Sequence, residues 1–279
     1  MKNVLLNPVL NKEFKLRFRS IKSILGLSFY LLALIVLIIG FIYLERQNSP
    51  MGLFRPDQSR NMFILLSFIQ LGLILFITPG LTAGVISGER EKQTLNILLT
   101  TNQSSTSIIL GKLLSSISYL LLMIVASLPV YCIVFLFGGI SPIQVLVNLA
   151  YYTFTILVFG SIGIFFSTLI RKTIISMICT YGVTLLLTAG TAFLFLISMS
   201  VTQMNGNSHP GMGSYLIAML NPVMIMLSFL EPTVFRELTD NISTDLPLWA
   251  ANVLSFGVIT LVITIISIKN LRPSMKVKR

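Results

Sequence analysis

Six stretches of this chain run for twenty or more residues without a charged side chain, and no other feature restricts its fold as severely. They lie at about Ile24–Tyr43, Met62–Ile86, Leu113–Phe137, Pro142–Ile170, Ile174–Met199 and Leu246–Ile268, and none contains Asp, Glu, Lys, Arg or His. A helix rises about 1.5 Å per residue, so about twenty apolar residues cross the roughly 30 Å hydrocarbon layer of a bilayer. Inside lipid every backbone N–H and C=O must find its partner within the protein, which makes such blocks helical. Charged residues make up only 10% of the 279, against about 25% in a soluble domain. The sequence therefore predicts an all-α integral membrane protein with six transmembrane helices, its membrane domain spanning residues 24–268.

The net charge of +11 does not point to nucleic acid, because the charges sit in short flanks beside the apolar blocks. Sixteen of the 20 Lys and Arg residues fall on the side that holds both termini, with three acidic residues, Glu13, Glu89 and Glu91. The other side has Arg46, Arg55, Arg60 and Arg236 and six acidic residues. Lys and Arg favour the cytoplasmic face, so both ends are expected in the cytoplasm, with residues 269–279 as a basic tail. Cys132 and Cys179 lie within apolar blocks, where packing rather than a disulfide framework is expected. The first block is too long for the core of a secretory peptide, and no small-residue cleavage site follows Tyr43.

Two segments depart from the spanning pattern. Ser214–Leu230 is apolar but interrupted by Asn221-Pro222, where proline removes a backbone donor and disfavours helix in the residue before it. Each half is too short to span, and a seventh crossing would put the basic tail outside. A re-entrant or interfacial helix pair in the last outer loop, 200–245, is expected. Residues 1–23 carry Leu10, Phe14, Phe18 and Ile21 on one helical face, surrounded by Lys12, Lys15, Arg17, Arg19 and Lys22. That pattern predicts an amphipathic helix in the inner headgroup layer, or else a simple orientation signal.

Catalytic machinery is missing from the sequence. The single histidine, His209, stands in a polar loop with no second metal ligand nearby, and no carboxylate pair lies in a block. Ion-driven pumps usually hold ionisable groups in the membrane, and the blocks have none, although carbonyls could still hold sodium. The one Gly-Lys pair, Gly111-Lys112, lacks the upstream glycine and following Ser/Thr of a nucleotide-binding loop. No metal site and no cofactor are expected in this chain. Any work done here needs energy from another chain.

After the second block comes Ser87-Gly88-Glu89-Arg90-Glu91-Lys92-Gln93-Thr94-Leu95-Asn96-Ile97-Leu98-Leu99, then a polar Thr100–Ser107 linker. Alternating charges followed by an apolar cluster suit a short amphipathic element that docks on a partner. The run Gly-Glu-Arg-Glu-x-x-Thr-Leu with its apolar triplet, the linker and Ile-Leu-Gly-Lys resembles the permease subunits of type-2 ABC exporters. The opening Asn7-Pro8-Val9-Leu10-x-Lys12-Glu13 and the Asn221-Pro222 interruption are similar to theirs as well.

The resemblance implies two permeases, as a homo- or heterodimer, paired with two separate ATPase subunits that bind ATP and magnesium. It makes 87–112 a cytoplasmic coupling insert. Glu89, Arg90 and Glu91 would supply charged contacts to the ATPase, with Thr94, Leu95 and Leu98 at the base of the coupling helix. Gln93 stands where relatives often have glycine, and Asn96 where they often have an acid. The permease itself would be non-catalytic and would sit in a bacterial plasma membrane, in contact with lipid.

Three further sets of residues bear on movement and cargo. Gly80, Gly84 and Gly88 recur at i, i+4 after Pro79, a spacing that lets helices approach closely and suggests a kink above a packed hinge. Gly160, Gly163 and Ser167 suggest a second close face, one that could lie between protomers. Gln70, Gln144, Asn148 and Asn252 are candidate pathway groups, although amides within spans more often bond helix to helix. A pathway lined mainly by apolar residues would suit an amphipathic peptide, a drug or a lipid-like cargo. The rival readings are an ion-coupled transporter or channel, and a membrane enzyme or assembly factor.

Overall fold

The computed structural model describes residues 20–48, 56–95, 104–136, 140–204, 211–232 and 247–271. The described residues are helical apart from caps and short turns, with no strand among them. Helix α1 is Ile21–Asn48, α2 is Pro56–Thr82, and the short α3 is Ser87–Glu91. Then come α4, Ser105–Leu136, and α5, Pro142–Leu169. Helix α6, Thr173–Leu185, continues through a π-helical turn, Leu186–Gly190, into α7, Thr191–Met204. The remaining elements are α8, Met212–Met219, α9, Pro222–Leu230, and α10, Leu248–Leu271.

Six units are long and apolar enough to cross a membrane, with α6, the π turn and α7 counting as one. These are the six predicted spans. The helices outrun the uncharged blocks: α1 starts at Ile21 and α4 at Ser105. Long basic side chains near a helix end can reach toward water while their backbone stays helical. The C-terminal end of the expected 87–112 insert is consequently already part of the third span. The N-terminal amphipathic segment up to Arg19, Leu98, His209 and the tail from Arg272 lie outside the described residues.

Helix α5 is the hub. It packs on α2, α4, α6 and α10 and is the most buried span, whereas α1 and the α6–α7 unit are the least. Small residues explain the position. A Cβ at Gly163 would overlap the Thr82 hydroxyl and lie 2.8 Å from Thr82 Cβ and 3.2 Å from the Ala83 nitrogen. Gly160 faces Thr78 and Thr82 of the same helix. The Gly160, Gly163 and Ser167 face is thus used inside the chain, the glycines against α2 and Ser167 against the turn and short helix after it. The start of α5 is set by Ser141 and Gln144, which form a reciprocal capping box with Pro142 in the first turn.

Helices α8 and α9 meet at 99° around Leu220-Asn221, so they do not form a seventh straight crossing. Asn221 Oδ1 accepts from the backbone nitrogens of Val223 and Met224, capping α9, with Pro222 next. Its Nδ2 donates to the Thr188 carbonyl, 2.8 Å away in the π turn. Asn252 Nδ2 of α10 donates to the Met219 carbonyl at 2.7 Å, and the Tyr151 hydroxyl to that of Pro222 at 3.1 Å. The ends of the pair are tied at the edge where α7 finishes and α2 begins: Ser198 to Ser214 at 2.6 Å, Arg60 to Glu231 at 2.9 Å. Both ends of the pair are thus tied at one end of the bundle, and its buried turn is held by the side chains of neighbouring spans.

Candidate functional site

The segment joining the second span to the third begins where α2 breaks. Pro79 lies inside α2 and can donate no backbone hydrogen bond. The helix ends at Thr82, and residues 83–86 form turns before α3. A break at this depth releases backbone groups that water cannot reach, and each must be satisfied by the protein. Two serines supply what is needed. The backbone nitrogens of Ile86 and Ser87 donate to Ser167 Oγ of α5 at 2.8 and 3.0 Å. Ser176 Oγ of α6 donates to the Ala83 carbonyl at 2.7 Å.

The three consecutive charges of α3 then reach three different spans. Lys112 Nζ of α4 donates to Glu89 Oε1 at 2.6 Å, and Lys112 is almost fully buried. Arg90 Nη2 donates to the Thr168 carbonyl at 3.1 Å, at the C-terminal end of α5. Glu91 accepts from the Thr173 nitrogen at 2.9 Å and from Thr173 Oγ1 at 2.7 Å, in the first turn of α6. A helix carries partial negative charge at its C-terminus and partial positive charge at its N-terminus. Arg90 and Glu91 therefore match the dipoles of the helices on either side of the Ile170–Lys172 turn.

After Glu91 the chain turns at once. Gln93 has φ 58°, in the left-handed region, and Thr94 donates its backbone N–H to the Glu89 carbonyl at 2.9 Å. The left-handed angle explains why a glycine would be at home at Gln93. The resemblance implies a coupling helix over Glu89–Leu99; of that range the structure describes the end of α3, which runs Ser87–Glu91, and the turn up to Leu95, and residues 96–99 lie outside the described residues. Glu91, Lys92, Gln93 and Thr94 are exposed, whereas Leu95 is buried.

The glycine stripe lies on the fifth span. A Cβ at Gly80 would lie 2.9 Å from the Tyr181 hydroxyl, and one at Gly84 3.1 Å from Thr173 Cγ2 and 3.2 Å from Met177 Cε. The bare backbone at Gly80 leaves room for the Tyr181 hydroxyl to donate to the Phe76 carbonyl at 2.9 Å. Gly88 is less confined, with Thr173 Oγ1 3.7 Å from such a Cβ.

The candidate pathway amides are dispersed. Gln70 and Asn148 join one buried polar seam, bonded to Ser127 Oγ at 3.3 Å and Ser67 Oγ at 3.2 Å. Tyr152 extends it, donating to the Ser67 carbonyl at 2.9 Å and meeting the Tyr131 hydroxyl at 3.2 Å. Gln144 serves the α5 cap, and Asn252 holds the turn after α8. Gln70 Oε1 and Asn252 Oδ1 are buried without a partner among the described residues.

Sequence reasoning missed Ser176 and Thr173 as site residues, and it named Lys112 and Ser167 without their bonds to the insert. Their partners lie 23 to 93 positions away, a separation that no local pattern reveals. Of the two missed residues, Thr173 left a trace, as the polar residue between Arg171-Lys172 and an apolar run, where a helix would start. A family model described as ABC-2 family transporter protein matches residues 8–272. A search of curated proteins found no match.

Proposed function

We propose that this chain, which belongs to the ABC-2 transporter family, is the membrane-spanning permease subunit of an ATP-driven exporter. A separate ATPase subunit supplies the energy, and the cargo is an amphipathic peptide, a drug or a lipid-like molecule moved out of the cell. The observation that carries this reading is the α3 turn. It is bonded through Glu89, Arg90 and Glu91 to the third, fourth and fifth spans. A partner that displaces such a turn moves three spans together, which is the rigid-element coupling that alternating access requires.

In this reading α3 and the turn after it receive the ATPase, with Thr94, Leu95 and Leu98 at the base. Glu89, Arg90 and Glu91 transmit the displacement rather than only touching the partner. Pro79 with Gly80, Gly84 and Gly88 forms the hinge along which the end of the second span moves against the fifth. Asn221 and Pro222 shape the outer mouth. Gln70 and Asn252, each with a carbonyl oxygen to spare, are the amides best placed to meet cargo when the spans separate, whereas Asn148 and Gln144 hold helices. The chain pairs with a second permease, its lightly buried spans face lipid or that partner, and both termini lie in the cytoplasm of a bacterial cell.

The test is retention of the ATPase in mild detergent, followed by transport in vesicles. The chain is expected to retain an ABC ATPase, and ATP-dependent export is expected to fall with Glu89→Lys. An intact chain that never retains an ATPase, together with unaltered export by the Glu89→Lys variant, would end this reading.

A further inference from the structure

Two buried polar atoms within the spans lack a partner and stand at one junction. Tyr30 of α1 keeps 4% of its exposure and Gln70 of α2 none, yet the Tyr30 hydroxyl and Gln70 Oε1 form no hydrogen bond. The Tyr30 hydroxyl is close enough to interact with Ser127 and Gln70, so the two unmet groups lie side by side.

Their neighbours are already committed. The Ser127 hydroxyl donates to the Ile124 carbonyl at 2.7 Å, so its oxygen is left to accept, and it accepts from Gln70 Nε2. That fixes the orientation of the amide and leaves Oε1 as the atom without a donor. The Tyr152 hydroxyl donates to the Ser67 carbonyl and accepts from the Tyr131 hydroxyl, so both of those protons are spent. Helix α1 is also tied on either side of Tyr30. The Tyr119 hydroxyl donates to the Ser23 carbonyl at 2.8 Å, and Gln58 donates to Glu45 at 2.8 Å. What the junction needs is one acceptor for Tyr30 and one donor for Gln70.

We propose that this junction is a binding site for one uncharged hydroxyl group, which accepts from Tyr30 and donates to Gln70 Oε1. Water supplies that group while the spans are packed together, and an alcohol-bearing amphiphilic cargo supplies it in transit. The second source rests on the permease reading above and narrows its cargo to molecules with a neutral hydroxyl; the site itself does not depend on that reading. A hydroxyl donates and accepts at once, whereas an ammonium group only donates and a carboxylate only accepts. Either ion would also sit among blocks free of Asp, Glu, Lys, Arg and His, where nothing offsets its desolvation. A metal cation needs a shell of oxygens in place of its water, more than an amide and a phenol provide. A buried water takes about two to four polar partners, and a cargo hydroxyl that displaces it reproduces the same bonds.

The experiment uses the full-length chain in detergent and has one arm for each source. X-ray radiolysis in heavy-oxygen water, read by mass spectrometry, labels side chains that touch bound water. Tyr30 should label at least about threefold faster than Tyr151, which is comparably buried but bonded to the Pro222 carbonyl. In the second arm, decanol and methyl nonyl ether are compared at equal micellar concentration. Decanol should raise the unfolding temperature by about 2 °C or more above the ether, and Tyr30→Phe should erase the difference. Gln70→Met should erase it as well, so a folding defect in one variant leaves the other to decide.

Either positive arm upholds the site: labelling assigns it to water, and the decanol preference assigns it to cargo. Tyr30 labelling no faster than Tyr151, with decanol and its ether indistinguishable, overturns it. Stronger stabilisation by decyltrimethylammonium than by decanol makes the site cationic and overturns it too. The permease reading fails separately, through the absence of a retained ATPase, which neither arm measures.

Discussion

Lys112 Nζ lies 2.6 Å from Glu89 Oε1, and the lysine side chain keeps 3% of its exposure against 27% for the glutamate. The pair ties the start of α4 to the short helix α3, so the third span cannot leave its place without dragging the insert. Removing one partner from a buried ion pair costs more than the pair itself contributes, because the other charge stays behind in a poor solvent. Glu89→Lys should therefore cost about 3 kcal/mol, the low end of that range, since the Glu89 side chain is only partly buried. Thermal unfolding in detergent reads the loss. The exchanged pair, Glu89→Lys with Lys112→Glu, should recover more than half of it, and equal damage from single and exchanged variants would refute the pairing.

Ser167 Oγ accepts two backbone N–H groups at the break after α2. Ser167→Ala leaves both without an acceptor, at about 1–3 kcal/mol for the unsatisfied group. Hydrogen exchange at Ile86 and Ser87 should accelerate by at least about tenfold, with the rest of α2 little altered. Unchanged protection at these two amides would show that another group satisfies them.

Gly163 presses on Thr82 more closely than any side chain permits. Gly163→Ala should push α5 from α2 and cost about 1–3 kcal/mol, the usual range for overpacking. Adding Thr82→Ala should return part of the loss. Gly72, with nothing within 4 Å of a Cβ built on it, is the control: Gly72→Ala should be neutral or slightly stabilising.

Gln93 occupies a left-handed backbone conformation, where a residue with a Cβ is penalised by about 1–2 kcal/mol. Glycine escapes that penalty but loses more freedom on folding, about 0.5–1 kcal/mol. Gln93→Gly should then stabilise the turn by about 0.5–1 kcal/mol, detectable as slower exchange at Thr94. Gln93→Val, with its branched Cβ, should move in the opposite direction.

Asn221 bonds to both the first turn of α9 and the π turn. Asn221→Ala should remove the cap at a cost of about 1 kcal/mol and free the Thr188 carbonyl. Faster exchange at Val223 and Met224 should accompany it. Asn221→Asp keeps the acceptor and loses the Nδ2 donor, so it should protect α9 while still releasing the π turn.

The spans were legible because their signal is local. An uncharged run of sufficient length has one structural solution in hydrocarbon, and the structure places a long helix on each. The Asn221-Pro222 interruption was equally readable, since proline and a capping amide act on their immediate neighbours. At the insert the reading was partial. Charge alternation marked the segment from Glu89, but local pattern could not tell whether those charges faced a partner or their own chain.

Long-range contacts account for that gap. Glu89 meets Lys112, Arg90 meets Thr168, and Glu91 meets Thr173, across separations at which sequence has no period to follow. The same holds for the amides: Gln70 and Asn148 were visible as polar residues in apolar runs, but which hydroxyls they meet depends on how α2, α4 and α5 are rotated against one another. Gly160 and Gly163 advertised a close face without naming the helix that fills it.

The six uncharged blocks thus determined by themselves that the chain is a six-span helical membrane protein, because backbone hydrogen bonding in lipid leaves a long apolar run no alternative to helix. Only the tertiary structure decided that the turn after the second span is bound to the third, fourth and fifth, because a bond between distant residues exists only after packing has brought their helices together.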